Sequence, residues 1–440
     1  MKVKLIWTII LILLLSSLGG CSKVLGPDDG EDKAVLDGQT DHEPIVLTVL
    51  STAILENPEG EVFRMLTDEF MALNPDIVIE FEAVPMNSAS TTTINASIEG
   101  KLPDLYVNYA ESIYKFYDLD IATDLNDYLD KAYIDGFYDN LIDEVTIDGQ
   151  MMFLPWFTTA HAVIYRKDWF EAKNLEVPVT WDDFLAVALA LTEDLDGDDK
   201  HDRWGLAMIG TKNNSGAIRF TNILRSFGAY EVREANGEWD TDLDSEAGIE
   251  ALQFFGDLYT KYKVVPIGPL EVSYSEAITQ MSSGQTAMMI TGSHSIGAIL
   301  KENPELEGKL GSFLIPKKDH HTSTLGIQGY SISKDSPNKE AAIEYLKFLL
   351  LKENQLRWHE ATGRMPSRKD AGEEIRDSEL FAGFTEALDY VEPIPRVTYY
   401  DEMPSILGEA YQSVLTETVD AKTAAIKAAT RVRQSIVTTK

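Results

Sequence analysis

Between positions 194 and 202 the chain reads Asp-Leu-Asp-Gly-Asp-Asp-Lys-His-Asp, with carboxylates at every second residue and Gly197 permitting the turn that would converge them. Calcium takes roughly six to eight oxygens, supplied by such carboxylates together with a backbone carbonyl. An EF-hand would need glutamate at its twelfth position, and Gly205 stands there, so the loop is of another kind. A solvated acidic turn is the plainer alternative. Elsewhere the 440 residues contain no GxSxG, no HExxH and no Walker loop. Paired carboxylates of the glycosidase type are not excluded, because acidic residues number 72. Cys21 is the single cysteine, which rules out disulfides, thiolate metal sites and a cysteine nucleophile in the folded region. The charge balance is 38 − 72 = −34, spread along the chain, and argues against nucleic acid as a partner and, weakly, against a polyanionic ligand.

Lys2 and Lys4 precede an apolar run from Leu5 to Leu15 and the small-residue stretch Leu18-Gly19-Gly20-Cys21. This is the layout of a signal peptide over residues 1–20. The run is too short to span about 30 Å of hydrocarbon with margin. Cysteine directly after Leu-Gly-Gly resembles the lipobox of bacterial lipoproteins, which implies cleavage before Cys21 and acylation of its thiol. Residues 21–42 then read as the lipidated cysteine and a flexible tether, acidic and rich in glycine, with no apolar period.

Candidate residues need elements to hold them, and those follow in an alternating order. Ile45–Leu50 reads as a strand, Pro58–Asn74 as a helix with Val62, Phe63, Leu66, Phe70 and Leu73 on one face, and Ile77–Phe81 as the next strand. Pro75 pushes Asn74 out of the helical region and ends the helix. Asp104–Val107 is strand-like, Leu119–Tyr133 reads as broken helix, and Gln150–Pro155 as a strand ending in proline. A second α/β region starts at His161–Tyr165 and carries helices at 181–191, 220–227, 247–262 and 274–282. Thr180 before Asp182 and Asp183 is a capping signal. Further helices are expected at 339–351, 404–415 and 421–437. The fold class is α/β, with a largely parallel sheet.

Several segments taken in order resemble the extracellular solute-binding proteins of ABC importers, sugar-binding family 1, to which maltose-binding protein is related. They are Phe70-Met71-Ala72-Leu73-Asn74-Pro75-Asp76-Ile77, Leu102-Pro103-Asp104-Leu105, Asp148-Gly149-Gln150 through Leu154-Pro155-Trp156, and Ile164-Tyr165-Arg166-Lys167-Asp168. Pro178-Val179-Thr180-Trp181-Asp182, Ser283-Gly284-Gln285-Thr286-Ala287-Met288-Met289-Ile290-Thr291-Gly292-Ser293, Gln328-Gly329-Tyr330 and Asn338-Lys339-Glu340-Ala341-Ala342 continue the series. The resemblance covers nearly everything from Ile45 onward. It implies a periplasmic-binding-protein-like fold of type II, two α/β lobes with a ligand cleft and a hinge. Lobe one is expected at 43–157 plus 326–363 and lobe two at 158–325 plus 364–440. The crossings are expected at the strand ending at Pro155 and around Thr324-Leu325-Gly326.

The resemblance also implies a function: a lipoprotein on the extracytoplasmic face of the cell membrane, of Gram-positive type, that captures a carbohydrate, an oligosaccharide in first place. It is expected to be monomeric, to act without catalysis and to deliver its load to the transmembrane subunits of an ABC importer. A sensor or adhesion lipoprotein of the same fold and an exported glycoside hydrolase are the alternatives. Sugar sites use flat aromatics for stacking and a few fixed polar groups for orientation. The aromatic candidates are Tyr109, Trp156, Tyr330 and Tyr400; the polar ones are Ser51, Glu56, Arg219 and Arg364. His294 stands where many relatives hold a stacking tryptophan. The acidic loop is similar to the calcium loop of alginate-binding members, which implies Asp194, Asp196, Asp198, the Lys200 carbonyl and Asp202 as ligands to a structural calcium. Arg203 departs from that pattern, since those proteins place an acid there.

Overall fold

The computed structural model describes residues 44–438 apart from 393 and 396, and Cys21 with the signal segment and the tether lies outside the described residues. Among the described residues no helix is long and apolar enough to cross a membrane.

The chain starts with a βαβ unit. Strand β1 (Ile45–Ser51) leads to the helix Glu59–Leu73 and then to β2 (Ile77–Ala83), which pairs in parallel with β1 from Ile45↔Ile77 to Ser51↔Ala83. The helix buries Val62, Phe63, Leu66 and Phe70, one stripe at helical spacing. It stops at Asn74, whose φ of −127° and ψ of 72° lie outside the helical region that a following proline disfavours. Strand β3 (Leu105–Tyr109) lies parallel to β1 on its other side.

The longest strand, β4 (Leu154–Arg166), is 13 residues long and belongs to two neighbourhoods. The strands that follow are β5 (Trp204–Ala207), β6 (Thr286–Gly292), β7 (Leu310–Phe313), β8 (Ser323–Ile332) and the short β9 (Met365–Pro366). The first half of β4 pairs antiparallel with β8, from Tyr330↔Leu154 to Leu325↔Ala160, and with β9. Its second half pairs with β6, from Gly292↔His161 to Met288↔Tyr165, and with β7. The sheet order is therefore β2-β1-β3-β8-β4-β6-β5, and the expected largely parallel sheet is corrected to a mixed one: β2-β1-β3 and β6-β5 are parallel, while β8 and β4 run antiparallel to their neighbours. The expected strand ending at Pro155 is corrected by this pairing: Gln150–Met151 closes a small hairpin with Thr146–Ile147, and a new strand begins at Leu154 and runs through the proline. Proline is tolerated at a strand's beginning, and the Pro155 carbonyl is occupied by the Ser367 hydroxyl. The expected broken helix at 119–133 is mostly turns, with single short helical turns at Leu125–Asp127 and Lys131–Ile134.

Burial follows the same division. One core gathers β1, β2 and β3, the first half of β4, Leu325–Ile332 and the helices Lys339–Leu349 and Lys352–Thr362, with Phe63, Phe153 and Leu105 fully buried. On the other side of the molecule successive β4 residues point to opposite faces of the sheet. Val163 and Tyr165 join Met288 and Ile290 under the helices Trp181–Ala190, Asn214–Ser226, Glu246–Thr260, Met403–Leu415 and Ala421–Thr438. Ala162 and Ile164 join Met289 under the helices Tyr274–Ser282 and Ser295–Glu302. The result is two α/β lobes that share β4 and β8. The anticipated capping box at Thr180 is present, with the Asp183 amide donating to Thr180 Oγ1 and the Thr180 amide to the Asp183 carboxylate.

Within the first lobe, just before the crossing, the β4–β8 ladder slips by one residue at Gln328/Gly329, leaving Trp156 as the extra residue of the bulge. Close approach is what requires the glycine: a Cβ at Gly329 would sit 1.9 Å from the Leu154 carbonyl oxygen. Gly329→Ala is expected to cost about 2–3 kcal/mol through forced backbone displacement, read as a lower denaturant midpoint with an unchanged slope.

Candidate functional site

Where β4 passes from one lobe to the other, a knot of buried polar groups joins the two crossing strands. The His161 amide donates to Ser323 Oγ at 2.8 Å, and Ser323 Oγ donates back to the His161 carbonyl. His161 Nδ1 lies 3.2 Å from the Thr324 carbonyl and 3.1 Å from Thr324 Oγ1. Asn222, from the helix Asn214–Ser226, accepts from the Thr324 amide and donates to its hydroxyl. Burial pushes the His161 imidazole down to about 3, and the nearby Arg219 charge adds to the effect, so the ring is neutral at physiological pH.

Two further groups of side chains converge beside this knot. Arg364, expected to open lobe two, packs instead on the first lobe: its Nη2 lies 3.2 Å from Glu59 and 3.7 Å from Glu56, with the guanidinium 4.6 Å above the Phe157 ring. Glu56 is half-buried, and its carboxyl is raised above the usual range by desolvation, against the lowering effect of Arg364. From the second lobe come Arg219, Tyr274, Thr291, Ser293, His294 and Ser295. Arg219 Nη2 donates to Thr291 Oγ1 at 2.9 Å, Thr291 Oγ1 lies 2.7 Å from Ser295 Oγ, and that hydroxyl donates to Tyr274 Oη. The His294 ring lies 5.5 Å from the Tyr274 ring.

The two groups meet. A Cβ at Gly363 would be 3.0 Å from the Ser293 carbonyl, and one at Gly292 would be 3.1 Å from the Thr159 side chain. Burial holds His294 well below the usual histidine range, and Arg364 from one lobe and Arg219 from the other both push the same way. At this seam Ser293 Oγ, His294 Nδ1 and Arg364 Nε are buried without a hydrogen-bond partner among the described residues. Such groups normally have partners, and three from two lobes at one place are unusual.

Of the residues singled out in the sequence, Glu56, Arg219, His294 and Arg364 are brought together here. The others are placed differently. Trp156 is 2 % exposed, its ring 4.6 Å from Phe63 and 4.0 Å from Trp358 in the first lobe's core. Tyr330 is 1 % exposed, and its hydroxyl lies 2.6 Å from Ser51 Oγ beneath the same aromatic cluster. Tyr109 sits at the end of β3 with its hydroxyl 2.9 Å from Thr52 Oγ1. Tyr400 donates to Glu231, which is buried and paired with Arg225 at 2.6 Å, inside the second lobe. Sequence reasoning passed over Glu59, Tyr274, Thr291, Ser295 and the His161–Asn222–Thr324 knot. Thr291 lies within the family-like segment ending at Ser293, which was a usable signal; nothing local distinguishes Tyr274 from any tyrosine opening a helix.

The acidic loop lies apart, between the helix Trp181–Ala190 and β5. Glu193 and Arg203 bridge its ends, and carboxylate oxygens of Asp194, Asp196 and Asp202 lie within 4.8 Å of one another. Asp198 turns aside to Lys200, whose Nζ is 3.1 Å away. Arg203 donates to Glu193 and covers the Trp169 ring at 3.8 Å, so its charge points to the loop's base.

A family described as bacterial extracellular solute-binding protein matches residues 56–356. The chain belongs to that family. A binding protein of Brucella abortus is 25% identical over 366 residues, covering 81% of this chain and 85% of that one. The multiple sugar-binding protein of Streptococcus mutans is 20% identical over 411 residues, covering 90% and 87%. The crystal structure of an ABC transporter solute-binding protein from Thermotoga lettingae, bound with α-D-tagatose, superposes with a TM-score of 0.75 at 24% identity, covering 89% of this chain and 100% of that one. The fold is thus that of the type II periplasmic binding proteins, two lobes around a hinge.

In this binding protein His161 is neutral when folded and takes up a proton once unfolded, near its ordinary value of about 6.5. Its contribution to stability is therefore complete above that pH and is lost as pH falls toward 3. His161→Asn is expected to show a shallower loss of stability between about pH 6.5 and 4, by up to about 1.4 kcal/mol per pH unit, in denaturant titrations against the parent. Equal slopes would contradict the buried neutral ring.

Proposed function

We propose that this protein captures a carbohydrate between its lobes and hands it to the membrane subunits of an ABC importer, without chemical turnover. The observation that carries the reading is the seam itself. Ser293 Oγ, His294 Nδ1 and Arg364 Nε are buried there and unpartnered among the described residues. A hydroxyl-rich solute offers donors and acceptors at every carbon, and satisfying groups from both lobes at once favours the closed form over the open one. Tyr274 and His294 are the rings available for a sugar face. The named relatives support the choice of solute, since sugar-binding proteins recur among them.

Location follows from the family, which is extracellular. Lipidation at Cys21 completes the proposal: the acylated cysteine and the acidic tether would keep a monomeric trap beside its permease. The acidic loop is proposed to hold calcium through Asp194, Asp196 and Asp202, a hard-oxygen donor set already converged, with Asp198 or the Lys200 carbonyl joining on binding. The ion would tie the loop's two ends together and take no part in capture.

Two measurements check these points. A thermal-shift screen of the purified protein against a carbohydrate panel should find a sugar that stabilises; at a hundred times its dissociation constant the gain is about 2.7 kcal/mol. Stabilisation by peptides or polyamines and by no carbohydrate would refute the reading. For the loop, calcium added to chelator-treated protein should raise the melting point, and Asp196→Asn should remove most of that rise. No calcium effect on the parent protein would refute the metal assignment.

A further inference from the structure

Three arginines are buried among the described residues: Arg166, Arg219 and Arg225. Arg225 pairs with Glu231 at 2.6 Å and Arg166 with Asp168 at 2.6 Å. Arg219 is 8 % exposed and has no carboxylate within ion-pair distance among the described residues, in a chain of net charge −34. Its Nε donates to the Ile290 carbonyl at 3.3 Å, Nη1 to the Ser215 carbonyl and hydroxyl at 3.0 and 2.9 Å, and Nη2 to Thr291 Oγ1 at 2.9 Å. Every partner is neutral. Four of the five N–H donors of a guanidinium are thereby used, and one on Nη2 remains.

A buried charge without a counter-charge is costly, and removing that cost is worth a good deal to whatever supplies the opposite sign. The cation stands at the proposed ligand seam. Its guanidinium carbon lies 5.8 Å from the Tyr274 ring, and Thr291 and Ser295 link the two residues. The unpartnered His294 Nδ1 and Ser293 Oγ lie on the loop that follows Thr291. Arg364 across the seam has two carboxylates beside it, Glu59 and Glu56, whereas Arg219 among the described residues has none within ion-pair distance.

We propose that the captured carbohydrate carries a single carboxylate, a uronate unit, and that Arg219 provides its counter-charge. This deepens the carbohydrate reading and rests on it. One unmatched cation fits one carboxylate, and the −34 charge of the whole chain disfavours a polyanion.

The test is calorimetric titration of the purified protein with galacturonate and glucuronate and their di- to tetrasaccharides carrying a single uronate residue, each beside its carboxyl-reduced counterpart. At least one acidic sugar should bind about tenfold or more tightly than its reduced form, as a charge-assisted hydrogen bond implies. Arg219→Gln should erase that ratio and Arg219→Lys should keep part of it. Should Arg219→Gln not fold, the ratio on the parent protein and the Lys variant decide. Reduced sugars binding as tightly as the acids would overturn the uronate assignment while leaving the carbohydrate reading intact. An acid preference undiminished in Arg219→Gln would overturn the role of Arg219. Binding of neither form, with a non-carbohydrate solute stabilising the protein, would overturn both.

Discussion

Strand β4 must satisfy its backbone hydrogen bonds in two sheets at once, and most of the architecture follows from that. Up to Ala160 its ladder partners are Leu325–Tyr330 and Met365–Pro366; from His161 they are β6 and β7. An extended chain shared in this way gives the lobes a common axis and leaves only a few residues at the changeover to absorb a change of angle. Hinges of this kind are a few element-terminal positions between otherwise rigid bodies. The changeover lies at Thr159–His161, and β8 crosses beside it.

The polar knot at that point has an electrostatic character that suits both rigidity and recognition. His161, Ser323, Thr324 and Asn222 satisfy one another with neutral groups, so this knot holds the crossing without an ion pair that salt would screen. A few residues away the arrangement is the opposite: Arg219 and Arg364 bring charge, and Ser293 and His294 bring groups left unsatisfied. Stability sits in the crossing strands, and unfulfilled interaction sits in the loops they present. A solute that completes the second set adds contacts to both lobes, which is the differential needed to shift an open–closed equilibrium.

Much of the scaffold was legible in the sequence because it rests on local rules. The βαβ start, the Pro75 stop and the Thr180 cap each follow from residue chemistry within one turn, and the structure has them where expected. The strand through Pro155 was misjudged because proline usually ends a ladder; here the pairing with β8 and the Ser367 hydroxyl overrides local preference. Candidate site residues divide along the same line. Arg219, His294 and Arg364 meet at the seam, whereas Trp156, Tyr330 and Ser51 are packed inside the first lobe. Residue type and order along a strand could not separate these, because facing depends on a one-residue bulge at Gly329 that no local motif announces. Tyr274 went unnoticed for a similar reason, since only tertiary packing brings it between the two arginines.

The central claim is that solute is held by both lobes at the seam beside the crossing strands. Hydrogen–deuterium exchange of the protein, alone and saturated with a carbohydrate that raises its melting point, tests it most directly. Slowed exchange is predicted in two separate places together, around Ser293–Ser295 in the second lobe and around Glu56–Glu59 and Gly363–Arg364 in the first. Protection confined to one lobe, or falling elsewhere on the molecule, would contradict the account.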